Sequence, residues 1–579
     1  MGCTQKERRI LMDIKRFLAA AFLLCTCAVF SQETEKIPEG EQFQDAVPPA
    51  QLADTNDVAA AHGQTFRIGS VTYLPTGITK PSQIDRLINV DKERTFSSTE
   101  AIESYINDLK QEIDDTRFFE NITSSYTVQE ADENDIHMVD VVFQFDDSHH
   151  MLILPKPGYN SNQGAEFKII LNDLNFAGTL SPLSAEVFLN LGTKENPDDF
   201  SLVTIGTAFS YSLPFTLGST RNKWINDAKL SWTNSADFGL EYNARTGLVV
   251  GIPFGRNMLN LTLVQGAVRD TDYIDFGDST YFSEQFDIDA PIVLRMLTST
   301  KALMWTPFVH SIYNWDIDGI DIENQDLRSP LISIGQRFSF DLIQWHENFK
   351  DGVEASTAQS LFYNVQTFNL YPKLEAEIKY FKAWKYAEFS TCLSAFYTFD
   401  AWVPKNHTRY LNTTEFGNRV RGALDNQKAR GSNLKALSSL SAVTLSVDFP
   451  IHVLTTHWMD WGYKLFGAYK DMGERAQKFW ALPHKLFQYL DFELQVSPFV
   501  DIALFDNQFT GNRYNPKEGL YCAGIEILIY PQKWKSFTLR LSIGLDVGRS
   551  ILEDKIGLDY SWREPISNKE IYFGMLMHY

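Results

Sequence analysis

Asn418-Arg419-Val420-Arg421-Gly422 and, about eighty residues later, Ser497-Pro498-Phe499-Val500-Asp501 are the two runs that decide the fold of this chain. The first run has glycines around it and no apolar periodicity, which predicts a loop between two strands. The second belongs to a strand with apolar residues on one face and polar residues, with Phe499, on the other. An arginine on a long loop can reach an aspartate on that polar face if the strand belongs to a closed barrel whose polar face looks inward. The two runs therefore predict a barrel whose lumen holds the loop.

The Val-Arg-Gly loop is followed by Asp448-Phe449-Pro450 at a strand end and then by the Ser-Pro-Phe-Val-Asp strand. This order resembles the BamA, TamA and FhaC superfamily of outer-membrane barrels, the bacterial surface antigen type. The resemblance implies that the loop arginine lies in the lumen against the strand aspartate. The matching residues of this chain are Val420, Arg421, Gly422, Phe499 and Asp501. The family usually has an aromatic residue after the glycine where this chain has Ala423, which weakens the packing part of the motif and leaves its charge pair.

The composition suits a membrane barrel. Aromatic residues make up 13% of the 579 residues, while the hydrophobic total is only 44%. Aromatic girdles above and below an apolar band, with alternate residues facing water, give this balance. Beyond residue 31 no run approaches 18 apolar residues, so we expect no membrane-spanning helix in the mature chain. A soluble all-β protein has a similar composition and stays open as an interpretation.

The charge balance argues against nucleic acid as a partner. Lys and Arg number 52 against 73 Asp and Glu, a formal net charge of −21, and no basic tract is present. A phosphate backbone is bound by clustered cations. Only Cys392 and Cys522 lie beyond the N-terminal leader, so the mature chain is not expected to be a disulfide-built scaffold.

Residues 1–31 are predicted to be a signal peptide. A charged lead from Met12 precedes an apolar core at 17–30, and Ser31 offers a small residue for cleavage. Met12 is a second candidate for the true start, and Cys27 is a weaker candidate for lipidation. Residues 32–65 are acidic, proline-bearing and poor in large apolar side chains, so we predict a disordered acidic linker.

Residues 66–148 are predicted to form a compact α+β domain. A first strand and a short helix at 81–90 precede Ser97-Ser98-Thr99-Glu100, which has the pattern of a capping box. The helix that it opens is expected to carry an apolar stripe, and two strands follow. The order β-α-α-β-β and the run Arg117-Phe118-Phe119 resemble a POTRA domain. That resemblance implies strand addition, in which an exposed sheet edge binds an extended client; a plain spacer domain is the alternative.

Residues 151–579 are predicted to form the barrel. We place a bend at 154–159 and strands at 164–173, 183–191, 202–213, 228–233, 259–268, 332–340, 370–381 and 387–399, and then five after the loop, at 440–449, 489–505, 520–530, 537–547 and 571–579. The resemblance implies about sixteen antiparallel strands, with the loop between the eleventh and twelfth. Five strands after the loop is the number that it implies.

Two further segments carry membrane signals. The last strand alternates and ends on an aromatic residue, and Gly574, Met577 and Tyr579 fit the spacing of an outer-membrane assembly signal. Residues 457–487 place Trp, Tyr and Phe among Lys and Arg at helical spacing, which predicts a helix lying at the bilayer surface.

No motif for enzyme chemistry is found. The sequence lacks a Gly-x-Ser-x-Gly elbow, a phosphate loop and a His-Glu-x-x-His run. We therefore predict a protein that is not an enzyme and that needs no cofactor. The acidic residues Asp316, Asp318, Asp321 and Glu323 are a weak calcium candidate, and a solvated loop is the favoured interpretation.

The resemblance implies an outer-membrane barrel that inserts or translocates protein clients, with its POTRA domain in the periplasm. The expected partners are outer-membrane lipids, extended or unfolded clients that bind the POTRA domain, and envelope assembly factors. The main alternative is a passive porin or a surface-exposed adhesin built on the same barrel. Extraction without detergent would instead indicate a soluble secreted β protein.

Overall fold

The protein consists of a small N-terminal α+β unit followed by a large antiparallel sheet. The computed structural model describes residues 65–88, 90–132, 135–160, 164–191, 201–234, 239–255, 257–269, 280–315, 330–365, 368–402, 414–416, 419–422, 438–458, 460–461, 473, 477, 490–562 and 569–575. The signal peptide (1–31), nearly all of the acidic linker (32–65), the four acidic calcium candidates, Met577 and Tyr579 lie outside the described residues.

The N-terminal unit is a four-stranded sheet with two helices. Its elements are β1 (Thr65–Pro75), α1 (Pro81–Leu87), β2 (Thr95–Phe96), α2 (Thr99–Asp115), β3 (Phe119–Ala131) and β4 (Ile136–Asp147). The strand order is β2-β1-β4-β3, and only the β1–β4 pair is parallel. The predicted apolar stripe of α2 is confirmed, since its buried residues are Ile102, Tyr105, Ile106, Leu109 and Ile113. These side chains pack on the sheet and form the core of the unit.

The predicted helix cap is wrong by one residue. Ser98, not Ser97, is the N-cap: its backbone is extended, and its hydroxyl accepts a bond of 3.2 Å from the backbone N–H of Ala101. The third helical residue is then Ala101, which has no side-chain acceptor to return the bond. The helix therefore begins with a simple cap and no capping box.

The large sheet contains the rest of the described strands. They are β5 (Met151–Asn160), β6 (Gly164–Asp173), β7 (Leu183–Leu191), β8 (Val203–Leu217), β9 (Thr220–Thr233), β10 (Gly239–Phe254), β11 (Asn257–Arg269), β12 (Thr280–Asp289), β13 (Ile292–Met296), β14 (Ala302–Trp315), β15 (Leu331–Asp341), β16 (Gln344–His346), β17 (Phe349–Asn364), β18 (Leu370–Trp384), β19 (Ala387–Thr398), β22 (Ser441–Asp448), β23 (Ile451–Thr455), β24 (Phe492–Asn507), β25 (Asn512–Arg513), β26 (Leu520–Pro531), β27 (Leu539–Asp546) and β28 (Lys569–Met575). A separate two-stranded ladder joins β20 (Thr414–Glu415) and β21 (Ser438–Ser439). Between β27 and β28 lie a π-helical turn (Gly548–Leu552) and the short helix α3 (Glu553–Ile556).

Neighbouring strands of this sheet hydrogen-bond in chain order around a closed ring, with β28 next to β5. In the described part of the sheet four strands are interrupted, because β12 and β13 both pair with β14, β15 and β16 with β17, β22 and β23 with β24, and β25 and β26 with β24. Counted as continuous strands within the described residues, thirteen precede the loop that contains Arg421 and five follow it. The five after the loop agree with the prediction. The total of eighteen corrects the expected number of about sixteen, which came from the resemblance and not from the residues.

The predicted strands from residue 164 onward are confirmed in position, the last of them only as far as Met575, where the described residues end, but several strands were missed. The structure adds β10, the continuous pair β12 and β13, β14 and β17, and it places β5 where we expected a bend at 154–159. That expectation was wrong because Pro155 and Pro157 read as turn residues. Both are tolerated in β5, which pairs with β6 through its other backbone groups.

The sheet has polar side chains on its inner face and apolar side chains on its outer face, the reverse of a soluble protein. In β24 the side chains of Glu493, Gln495, Ser497 and Asp501 are buried, at 8, 0, 1 and 0% exposure. The alternate residues are apolar and face outward, and Val500 is 47% exposed. β26 and β27 repeat the pattern with Ile525 and Ile543, each exposed by about half. An apolar exterior around a polar interior is the arrangement of a barrel in lipid.

No helix in the described part of the chain has the length and apolar character needed to cross a membrane. Of the predicted surface helix at 457–487, only 457–458, 460–461, 473 and 477 fall within the described residues, so that helix stays a prediction. Trp458 and Trp461 pack edge to face with ring centroids 5.2 Å apart.

Candidate functional site

The loop between β19 and β22 enters the ring and places Arg421 inside it. The β20–β21 ladder pairs the two ends of the loop. Phe416 packs against Phe505, with centroids 5.1 Å apart, and both belong to a buried apolar cluster with Val420. Val420 itself is fully buried. These contacts deliver the Arg421 guanidinium to the inner face of the sheet.

Arg421 and Asp501 are brought together, as the sequence predicted they would lie. The backbone N–H and the Nε of Arg421 both donate to Asp501 Oδ2 at 2.8 Å, and Nη2 donates to Oδ1 at 2.7 Å. The guanidinium carbon lies 3.7 Å from the centroid of the Phe499 ring. Arg421 is 2% exposed and Asp501 is fully buried. Phe499 thus frames the pair, and the charges are out of contact with solvent.

Two further carboxylates complete the site, and the sequence analysis missed both as ligands. Asp448 accepts from Arg421 Nη1 at 2.7 Å and from Nη2 at 3.1 Å. Glu526 lies 3.0 Å from Nη1 and also accepts from Arg540 Nε at 2.8 Å. We call Arg421 with Asp448, Asp501 and Glu526 the lumen clamp. Asp448 stood beside the Phe-Pro pair that carried part of the resemblance, whereas nothing in the sequence places Glu526 near the loop.

The clamp joins three consecutive strands of the ring. Asp448 ends β22, Asp501 lies in the middle of β24, and Glu526 lies in β26. Paired carboxylates compensate the guanidinium through bidentate bonds, which have the geometry that arginine favours. A cavity of about 30 Å³ lies beside the clamp and is lined by Asp448, Glu526 and Ser497 among others. Its volume suits ordered water and is far too small for a client.

Gly422 fits where only a glycine can. Its φ is +96°, and a Cβ on it would lie 2.7 Å from the Leu545 backbone nitrogen. On the facing strand, a Cβ on Gly544 would lie 2.8 Å from the Gly422 nitrogen. The Gly422 N–H donates to Glu570 at 2.9 Å. The loop tip therefore lies directly against the inner backbone of β27, and two glycines allow that approach.

The N-terminal unit lies at the end of the ring opposite to the end at which the loop with Arg421 enters. Lys80 donates its backbone N–H to Gly178 on the β6–β7 connection at 2.9 Å, and Arg94 Nη1 donates to the Ser299 carbonyl on the β13–β14 turn at 2.9 Å. His149 donates to the Lys533 carbonyl on the β26–β27 turn at 3.2 Å. These turns are spread around the ring, so the unit lies across its end.

Arg117 makes several of the contacts that hold the N-terminal unit against the large sheet. Its Nε donates to the Lys535 carbonyl at 2.7 Å, and its Nη2 donates to Asn348 Oδ1 at 2.7 Å. Its guanidinium lies 4.3 Å from the Trp345 ring centroid. In return, Ser536 Oγ donates to the Arg117 carbonyl at 2.6 Å. Arg117 therefore joins the unit to two separate hairpin turns of the large sheet.

We expect Arg117→Ala to loosen the N-terminal unit without unfolding it. The change removes charged hydrogen bonds and a cation–π contact, which together are worth about 3 kcal/mol, while the core of the unit does not include Arg117. Hydrogen exchange at 343–348 and 533–536 should rise. Arg67→Ala is the control, because the partners of Arg67 among the described residues, Glu93 and the Lys92 carbonyl, lie within the unit. Equal exchange in both variants would contradict the anchoring role.

The N-terminal unit should also lose stability as pH rises. Burial raises the pKa of Glu112 in α2 from its ordinary 4.5 to about 7, with Asp115 and Asp108 adding to the rise and Lys301 opposing it. The folded unit favours the neutral form of Glu112. Below about pH 4.5 this side chain is neutral in both the folded and the unfolded state, so it does not change the stability. Above about pH 7 it is ionised in both states, and the full cost of burying its charge lowers the stability. Its free energy of unfolding should fall across that window by on the order of 3 kcal/mol. Glu112→Gln should flatten the profile in urea melts; a profile that is unchanged in this variant would rule Glu112 out as the cause.

Three other groups of residues were considered in the sequence: possible metal ligands, the C-terminal assembly signal and the cysteines. Within the described ranges, no group of three or more His, Cys, Asp or Glu side chains is arranged to hold a metal ion. Gly574 lies in β28 opposite Arg540, and the rest of the C-terminal assembly signal stays a prediction. The two cysteines, Cys392 and Cys522, are buried free thiols.

No protein-family model and no curated protein matches the chain. Among solved structures it is similar to BamA from Haemophilus ducreyi lacking POTRA domains 1–3, with 11% identity, TM-score 0.38 and coverage of 88% of this chain and 85% of that one. It is also similar to CdiB from Acinetobacter baumannii, with 10% identity, TM-score 0.46 and coverage of 89% and 74%, and to CdiB from Escherichia coli, with 9% identity, TM-score 0.38 and coverage of 99% of each chain.

With TM-scores below 0.5, these likenesses carry no argument about activity, and the fold rests on the strand pairing given above. BamA is also one of the proteins named in the resemblance of the Val-Arg-Gly loop.

Proposed function

We propose that this protein is an outer-membrane β-barrel that inserts or translocates protein clients, working without a cofactor and without enzymatic chemistry. The observation that carries the proposal is the combination of an apolar exterior with a lumen that holds a clamped loop. A loop fixed in the lumen by a buried arginine and three carboxylates suits a barrel that stays sealed until a client arrives.

The N-terminal unit, on this proposal, is a POTRA domain that lies in the periplasm. Its strand β3 pairs with β4 along one edge, and in the described part of the sheet no strand pairs with its other edge. Most residues of β3 beyond Phe119 are exposed or half-buried. An open edge gives an extended client main-chain hydrogen bonds with little dependence on its sequence. The unit thereby supports client binding next to the lumen.

The junction of first and last strands supports the same proposal. Pro155 and Pro157 deprive β5 of two main-chain donors, and β5 lies next to β28 in the ring. An unpaired strand edge in lipid costs several kcal/mol for each lost hydrogen bond. A client strand that pairs with this edge therefore recovers the missing hydrogen bonds. Strand exchange at this junction needs no nucleotide.

The test places the whole chain in liposomes and adds a urea-unfolded eight-stranded outer-membrane barrel as the probe client. Folding of the probe is followed by its heat-modifiable mobility on a gel. We expect faster folding than in empty liposomes and a slower rate when residues 66–148 are deleted. Arg513→Ala, which removes ion pairs with Asp400 and Asp506 from a side chain that is about half exposed, is the control variant and should leave the rate unchanged.

Equal folding rates of the probe in empty liposomes and in liposomes that contain the chain would contradict the proposal. A passive porin or adhesin would then be the better interpretation of the same barrel. Membrane fractionation supplies the separate check on location, because a chain that leaves the outer membrane without detergent is no barrel in lipid.

A further inference from the structure

The loop tip reaches the last strand of the ring as well as the strands that carry the lumen clamp. Gly422 donates its backbone N–H to Glu570 Oε2 at 2.9 Å. Glu570 belongs to β28, which is the neighbour of β5 in the closed ring. A carboxylate of this closing strand is therefore bonded directly to the loop that Arg421 fixes in the lumen.

The strand register explains how Glu570 makes this contact. Glu570 stands directly opposite Gly544 of β27. Its side chain is buried, at 6% exposure, whereas the next residue, Ile571, is 47% exposed on the outer face. Because Gly544 has no side chain, the loop backbone lies against β27, and a Cβ on Gly544 would be 2.8 Å from the Gly422 nitrogen. The loop tip thus fills the space over Gly544 and beside the Glu570 carboxylate.

The segment that leads into β28 also packs with the loop. Three of its residues lie in the same buried apolar cluster as Phe416 and Val420 of the loop, and these are Leu558, Tyr560 and Trp562. The Phe505 ring joins the two parts, with its centroid 5.1 Å from that of Phe416 and 5.5 Å from that of Trp562. The loop therefore supports the closing strand at a second point, which does not depend on the Glu570 bond.

The other end of the loop tip is held on a strand farther round the ring. Arg419 Nη1 donates to Glu377 Oε2 of β18 at 2.6 Å, while the Arg421 guanidinium contacts β22, β24 and β26. Residues 419–422 therefore brace the inner wall from β18 to β28. Because Gly422 follows Arg421 directly in the chain, a shift of Arg421 out of the clamp must also move the N–H that bonds to Glu570.

We propose that Glu570 is a positioning residue through which the loop tip holds β28 in place, so that opening of the lumen clamp loosens the closing strand. A hydrogen bond to a buried carboxylate is stronger than one between neutral groups, and its loss leaves the charge poorly compensated. The consequence for clients rests on the proposed function: β28 becomes free to exchange its pairing with a client strand once the clamp has opened.

Hydrogen exchange in β28 of the whole chain in proteoliposomes tests this coupling without a client. Arg421→Ala and Glu570→Ala should each raise the exchange rate of 569–575 about tenfold, because either change removes the bond between the loop tip and Glu570. The double variant should exchange no faster than the single variants. Glu570→Gln keeps an oxygen acceptor for the Gly422 N–H and should restore most of the protection.

Asp287→Ala is the matched control. Asp287 is also a buried carboxylate on the inner face, at 8% exposure, and it pairs with His310 and Gln285 on β12 and β14. This variant should leave the exchange of 569–575 unchanged. Arg421→Lys serves as a second clamp variant if Arg421→Ala does not fold, and it should raise the same exchange less. The heat-modifiable mobility of each variant shows that its barrel is folded.

Exchange of 569–575 that is unchanged in the clamp variants, single effects that multiply in the double variant, or no recovery in Glu570→Gln would overturn the inference. So would an equal rise in Asp287→Ala, or a rise of the same size in β8, since the loosening would then be general. A chain that accelerates folding of the probe client without this coupling removes the role of Glu570 alone. Coupling without acceleration contradicts only the proposed function.

Discussion

Arg421→Ala is expected to destabilise the barrel by about 3 to 5 kcal/mol, the largest effect of any single charge removal in the lumen. The change leaves Asp448, Asp501 and Glu526 close together, buried and without their main counter-charge. Breaking a buried ion pair from one side costs this much because the partner charges remain desolvated. The midpoint of unfolding in urea, read from heat-modifiable mobility, measures it.

Two companion variants separate the clamp from a general loss of charge. Arg421→Lys keeps the charge but cannot make bidentate bonds to two carboxylates, so it should recover only part of the stability. Asp501→Ala added to Arg421→Ala should cost less than the sum of the two single changes, since the members of one network are not independent. A loss in Arg421→Ala no larger than in Arg513→Ala would mean that the clamp does not stabilise the barrel.

Gly422→Ala is expected to cost about 2 to 5 kcal/mol and to push the loop tip off β27. Its backbone conformation, with φ at +96°, is strained for alanine by about 1 to 2 kcal/mol. The added Cβ would also meet backbone atoms of Gly544 and Leu545 at 2.7 to 3.0 Å, and crowding of this kind costs about 1 to 3 kcal/mol. Urea unfolding and the protease sensitivity of the loop both report the change.

Gly511→Ala is the matched control for this prediction. Gly511 has φ at +74°, yet a Cβ there would meet no atom within 4 Å. The control therefore carries the backbone strain without the crowding. If Gly422→Ala costs no more than Gly511→Ala, the close approach of the loop to β27 is not a source of stability.

The local part of this architecture could be predicted from the sequence. The alternation around Asp501 indicated a strand with one polar face, and the loop character around Arg421 indicated a segment free to fold inward. The apolar stripe of α2 and the five strands after the loop followed from periodicity in the same way. Each of these features is encoded in residues that are close together in the chain.

The parts that the sequence could not predict depend on the register between paired strands and on contacts between distant segments of the chain. Glu526 joins Asp448 and Asp501 only because β22, β24 and β26 are adjacent and staggered as they are. Gly544 meets the loop tip through the same stagger. The docking of Arg117 depends on turns more than two hundred residues away, and no local pattern records such a contact. The prolines of β5 indicated a bend because proline lacks a backbone N–H and is uncommon within a paired strand.

The most direct test of the account is the conductance of the purified protein in planar bilayers, compared among wild type, Arg421→Ala, Asp501→Ala and the double variant. The account predicts a nearly closed wild-type barrel, a higher or unstable conductance in each single variant, and little further change in the double variant. Conductance that is the same in all four proteins, or single effects that add, would contradict the claim that the lumen clamp holds the loop in the barrel.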